Sequence, residues 1–227
     1  MADHCGILAP LPGLDPHPPK QKSVNPFSKN LVSQLNCAHK WDAANRLVSI
    51  IGPTNQSSFT YDGFGRRVQI IESQNGAAVS TNKFVWIGTA LAEQRDATGG
   101  TVVKRFFGQG EQISGTNYFF TTDHLGSVRE MTDGSGTIQA RYDYDPYGRQ
   151  TKVSGILDAD FGYAGMYYHA PSGLNLTLYR AYSSDLGRWL SRDPLAEMAG
   201  LNLYDYGDND PINRTDPNGN STMIEVM

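Results

Sequence analysis

From Trp41 onward, short runs rich in Val, Ile, Phe, Tyr and Thr alternate with glycine-containing breaks. That texture predicts strands and tight turns. β-Branched and aromatic side chains suit a pleated surface, and glycine or asparagine supplies the positive φ of a reversal. The strand candidates are Phe59-Thr60-Tyr61, Arg67 to Glu72, Lys83 to Ile87, Val102 to Phe107, Tyr118 to Thr121 and Ile138 to Tyr144. Reversals are expected at Asn75-Gly76, Thr98-Gly99-Gly100 and Asp133 to Gly136. Helical periodicity is nearly absent. One short helix is expected after Asp193, with Asp193 as cap, Pro194 in the first turn and Gly200 as stop.

Six of the 12 prolines precede Ser28, which forbids a long helix or a central strand there. Residues 1–36 are therefore expected to be a disordered Pro-rich linker. Residues 37–150 are expected to form a repeat-built antiparallel β-sheet, and 151–220 a compact C-terminal core region. Residues 221–227 form a short tail, too short to be a further domain. The fold class is mainly β.

The repeat is explicit. Trp41-Asp42-Ala43-Ala44-Asn45-Arg46, Tyr61-Asp62-Gly63-Phe64-Gly65-Arg66 and Tyr144-Asp145-Pro146-Tyr147-Gly148-Arg149 share the frame aromatic-Asp-x-x-Gly/Asn-Arg. Asp123 to Arg129 reads as an altered copy. The aromatic ring packs on the sheet and the Asp closes a turn onto backbone N–H groups. The Gly or Asn takes the left-handed position, and the Arg opens the next strand.

Charge narrows the partners. The net charge of −4 gives no basic face for nucleic acid or an anionic membrane. No apolar stretch is long enough to span a bilayer, and Met1-Ala2-Asp3-His4 does not open like a signal peptide. The two cysteines, Cys5 and Cys37, do not make a disulfide framework. The histidines lack paired metal spacing, and Asp205, Asp208 and Asp210 lack a calcium-loop pattern. No cofactor or metal is expected.

On these repeats the chain resembles the Rhs/YD-repeat family. The resemblance sharpens from Tyr118, through Asp123 to Arg129, Tyr144 to Arg149, Gly173 to Tyr182, and Leu186 to Pro194. It continues through Leu201 to Tyr206, Asn209 to Asn213 and Asp216 to Gly219, matching the family's repeat-associated core. The resemblance implies a large bacterial protein, a polymorphic toxin or a C component of an ABC toxin, exported by a dedicated route. In such proteins a β-strip spirals into a hollow shell around a toxin cargo, and the core region plugs one end. It also implies, as partners, other shell segments or a cargo.

The same resemblance implies an aspartyl autoprotease that cuts after Asp-Pro-x-Gly-Leu. The carboxylate pair maps onto Asp193 and Asp216, with Arg188 at the matching Gly-Arg position to orient one of them. Cleavage would fall between Asn220 and Ser221. Two carboxyls sharing one proton can activate water against a peptide carbonyl. Asp-Pro is also an ordinary turn starter, and five occur here, at Asp15, Asp145, Asp193, Asp210 and Asp216. Asn220 stands where the family has leucine, which weakens the cleavage reading. A structural shell or plug fragment is the first reading, self-cleavage the second. A surface adhesion or carbohydrate-binding module built on the repeat-borne tyrosines is the third.

Overall fold

The computed structural model describes residues 37–220 except 199, together with Met223 and Ile224. The expected linker and most of the expected tail lie outside the described residues.

Twelve strands form one antiparallel sheet in strict chain order. They are β1 (Ala38–Trp41), β2 (Leu47–Ile51), β3 (Asn55–Tyr61), β4 (Arg67–Gln74), β5 (Ala77–Ile87) and β6 (Ala90–Arg95). There follow β7 (Val102–Phe107), β8 (Gly110–Ile113), β9 (Thr116–Thr122), β10 (Val128–Asp133), β11 (Ile138–Tyr144) and β12 (Gln150–Gly155). The sheet thus continues five residues past position 150. A second sheet of four short strands follows: β13 (Tyr167–His169), β14 (Leu174–Leu176), β15 (Ala181–Ser183) and β16 (Arg188–Trp189). Two further short strands, β17 (Arg214–Thr215) and β18 (Met223–Ile224), pair antiparallel. The helix expected after Asp193 is a single 3-10 turn over Ala196–Met198. The Asp193 carboxylate still accepts from Leu195 N at 2.8 Å, but Ala196 turns to φ 52° and no α-helix follows.

Six turns of the large sheet share one construction, at Asp42, Asp62, Asp96, Asp123, Asp133 and Asp145. In five of them, Asp96 excepted, one carboxylate oxygen accepts from the N–H groups two and four residues on. At Asp96 it accepts from Gly99 and Thr101. The residue three after each Asp has positive φ: Asn45, Gly65, Gly99, Gly126, Gly136 and Gly148. Gly and Asn adopt that conformation at least cost. Each such reversal costs the paired strand a register shift, a bulge that adds twist to the sheet. The aromatic before the Asp ties one hairpin to the previous one. The Tyr61 hydroxyl donates to Leu47 O at 2.8 Å and that of Tyr144 to Val128 O at 2.9 Å. Arg66 closes onto Asp62 through two nitrogens at 2.7 Å, whereas Arg149 reaches Asp185 in the loop after β15.

The small sheet lies against one face of the large one. Leu47, Ile50, Phe59, Ile70 and Phe84 from the large sheet make one core with Tyr167, Leu174, Leu176 and Ala181 from the small sheet. A second core is aromatic, with Tyr163, Tyr182, Trp189 and Tyr206 buried around Leu125 and Met166. Tyr182 and Tyr206 ring centroids stand 4.4 Å apart. The clustered tyrosines of the C-terminal third are thus largely core side chains. A third core joins Val128, Met131, Ala140 and Tyr142 to Ala159.

One buried acid lies in the wall of the large sheet. Glu111, on β8, is 0% exposed. It sits beside Asp160, which holds Lys104 at 2.5 Å. Burial first, then the charge of the neighbouring Asp160 carboxylate, push the Glu111 carboxyl up to about 9. Glu111 therefore carries its proton at neutral pH.

Candidate functional site

The site grows out of three short pieces of chain. β14 ends at Leu176, and Thr177 closes a tight loop in which its hydroxyl and Arg180 N bond at 3.1 Å. That loop presents Arg180 just ahead of β15, where its guanidinium lies flat against the Trp189 ring, 4.3 Å from the centroid. Asp193 follows β16, held by its N–H to Leu203 O at 3.0 Å. Asp216 follows β17 and starts the turn Asp216-Pro217-Asn218-Gly219.

Arg180 joins the two acids. One of its terminal nitrogens lies 2.7 Å from Asp193 Oδ2 and 2.8 Å from Asp216 Oδ2. The three side chains are 3%, 7% and 2% exposed for Arg180, Asp193 and Asp216. Arg180 Nε also donates to Gly219 O at 2.5 Å. The second Asp216 oxygen accepts from Gly219 N and Asn220 N at 2.9 and 3.0 Å. Burial lowers the affinity of the Arg180 guanidinium for its proton, while the two carboxylates act in the opposite direction. An arginine so held stays charged. Gly219 has φ 79°, and a Cβ there would stand 2.3 Å from Thr177 Oγ1. Only glycine lets the chain pass this close.

Asp193 and Asp216 are therefore together, and Arg188 is not with them. Arg188 lies over the Tyr204 ring at 4.6 Å and its Nε donates to Trp189 O at 3.4 Å. Strand alternation is the reason. Trp189 points into the aromatic core, so its neighbour Arg188 faces the other way. Arg180 takes the position that the sequence reading gives to Arg188. The available signal is an arginine inside an otherwise apolar and aromatic run, Leu178 to Tyr182. Such a residue needs carboxylates to be buried. Asn220 is half-buried, and the Asn220–Ser221 bond falls in the connection between β17 and β18. Ser221 lies outside the described residues.

A family model for the RHS repeat matches residues 41–77, and one for the teneurin YD-shell matches residues 110–212. Over those residues the chain carries Rhs/YD-type repeats. The tRNA nuclease WapA of Bacillus subtilis strain 168 is 29% identical over 87% of this chain and 9% of its own. Toxin subunit YenC2 of Yersinia entomophaga is 27% identical over 73% of this chain and 20% of its own. Among solved structures, TcdB2-TccC3-Cdc42 superposes with a TM-score of 0.65, at 22% identity, over 82% of this chain and 10% of that one. The Tc holotoxin pore of Photorhabdus luminescens gives a TM-score of 0.62, at 20% identity, over 85% of this chain and 10% of that one. This Rhs/YD chain thus spans about a tenth of most of these proteins and has the fold of one stretch of them. The antiparallel hairpin sheet with a compact C-terminal region is the architecture expected from the sequence. No helix among the described residues is long and apolar enough to cross a membrane, which says nothing of β-barrels.

Proposed function

We propose that this chain is a wall-and-closure segment of an Rhs-type shell, working inside a larger toxin-related assembly that is exported. The observation that carries it is the small sheet seated on one face of the large one, sharing its core. A sheet so covered is a wall with something fixed to one side. The outer strands β1 and β12 each pair on one side only among the described residues, and such edges accept further strands. Joining this chain to additional YD repeats and a reporter protein tests the reading. The reporter should resist added protease when residues 163–219 are present and be digested when they are deleted. Equal digestion of both would refute closure.

A second reading, self-cleavage, is favoured by the Asp193–Arg180–Asp216 cluster, since Asn220 N bonds the Asp216 carboxylate. One carboxyl of a protease pair must be neutral to share a proton. Arg180 bonds both carboxylates, and each of their oxygens accepts at least one N–H bond. Those bonds give the cluster a second role, as a buried staple. Intact mass after prolonged incubation decides between the two roles. The native chain should keep residues 221–227, Asn220→Leu should lose them in part, and adding Asp193→Asn should block that loss. A native chain that loses them completely would show that Asn220 is no obstacle. An Asn220→Leu variant that stays whole would leave only the staple.

A further inference from the structure

A cavity of about 340 Å³ lies between the large sheet and the C-terminal region. Arg180, Asp193 and Asp216 do not line it, although Thr177 and Pro217 beside them do. Trp86, Phe106, Phe120 and Phe161 supply apolar walls, and Phe107 at its edge is 44% exposed. One cation lines this space. Arg67, on β4, is 4% exposed, and its guanidinium sits 5.5 Å from the Tyr167 ring, another lining residue.

Arg67 has no acid to answer it. Its Nε has no hydrogen-bond partner, and Nη1 makes only a long 3.4 Å bond to Thr177 O. Among the described residues no carboxylate pairs with it, although Arg180, equally buried, has two. Burial lowers the proton affinity of Arg67, and what acts in the opposite direction is the phenols of Tyr61 and Tyr167. A buried guanidinium normally carries a bound anion or carboxylate, because an unpaired buried charge is costly. Here the charged residue lines an apolar chamber of ligand size.

We propose that this cavity binds a small amphiphilic carboxylate, its acid group on Arg67 and its apolar body among Trp86, Phe106, Phe120 and Phe161. An alkyl or aryl acid fits better than a peptide. A peptide would bring amide groups that need partners, and the strands of this wall already spend their backbone groups on one another. A guanidinium takes a carboxylate through two parallel N–H bonds, which sets the polar end of the ligand.

Decanoate and 1-decanol, both below aggregation, provide the test, because they share an apolar chain and differ in the acid. Trp86 lines the cavity, so its fluorescence reports entry, with calorimetry as the second reading. Decanoate should bind at least tenfold more tightly than decanol. Arg67→Met should remove that preference and leave weak, equal binding of the two, while Arg67→Lys should keep part of it. Should Arg67→Met fail to fold, the decanoate-to-decanol ratio on the native chain decides alone. Equal affinities for the two ligands, no binding of either, or a preference that survives in folded Arg67→Met would each overturn the proposal. An apolar decapeptide with one glutamate serves as the peptide arm, and binding tighter than decanoate would overturn the assignment to a small acid.

Discussion

Replacing Glu111 by glutamine tests whether the buried acid of β8 holds its proton in the fold. The unfolded chain loses that proton near the ordinary value of 4.5, whereas the folded chain keeps it to about 9. Between these limits the folded state binds one proton more than the unfolded state. Stability therefore falls as pH rises through the window, by about 1.4 kcal/mol per pH unit. Below 4.5 both states are protonated and the group contributes no slope. At pH 7 the accumulated loss is about 3 kcal/mol. Glutamine keeps the shape of the neutral acid but cannot ionise. Glu111→Gln should therefore match the native chain at pH 4.5 and be about 3 kcal/mol more stable at pH 7. Urea unfolding at half-unit steps from pH 4.5 to 8 reads both curves, and the difference between them cancels the other titrating groups. Parallel curves would refute the reasoning, because they would mean that Glu111 titrates alike in both states. Asp160→Asn should lower the proton affinity of Glu111 and shrink the difference, since the Asp160 charge is one of its causes.

Three further outcomes are expected. Arg180→Met leaves two buried carboxylates facing each other and should cost about 3–5 kcal/mol in urea unfolding, more than Asp193→Asn. Gly148→Ala must hold φ 83° with its Cβ 2.3 Å from the Tyr163 ring. It should cost roughly 2–4 kcal/mol by calorimetry, combining backbone strain with overpacking. Asp133 should titrate at about 2 by carbon-detected NMR, held down first by the Ser135 hydroxyl and then by the Thr137 N–H. Ser135→Ala should bring it back toward the ordinary value of 3.8.

The hairpin sheet was readable because each element announces itself locally. The run Arg67 to Glu72 is β-branched enough to be a strand alone, and Asn75-Gly76 takes positive φ at both positions, as a two-residue reversal requires. Strands such as β6 (Ala90–Arg95) and β8 (Gly110–Ile113) carry few β-branched residues and exist because their neighbours pair with them. The Asp96 and Asp133 turns match the repeat in geometry but lack its aromatic and its arginine, so the frame misses them. Asp193 and Asp216 were legible as a pair from family resemblance. Their arginine was not, because the family's Gly-Arg match points to Arg188 and not to Arg180, whose approach depends on the pairing of β14 with β15. Glu111 and Arg67 have no local signature. Each is a charged residue in an unremarkable strand, and only the packing of the C-terminal region over the sheet buries it.

The unbroken chain order of the large sheet has a consequence for how the protein is made. Every strand from β2 to β11 pairs, as a strand, with the one before it and the one after it. No strand waits for a distant partner, so loop closure is cheap at every step and the sheet can lengthen at its growing edge. Emerging from a ribosome, β1 to β12 could zip up one hairpin at a time. The four-stranded sheet, whose core residues need Leu47, Phe59 and Phe84 already in place, would then settle onto a finished surface. Assembly has a direction written into it, with the wall raised first and the closure fitted last.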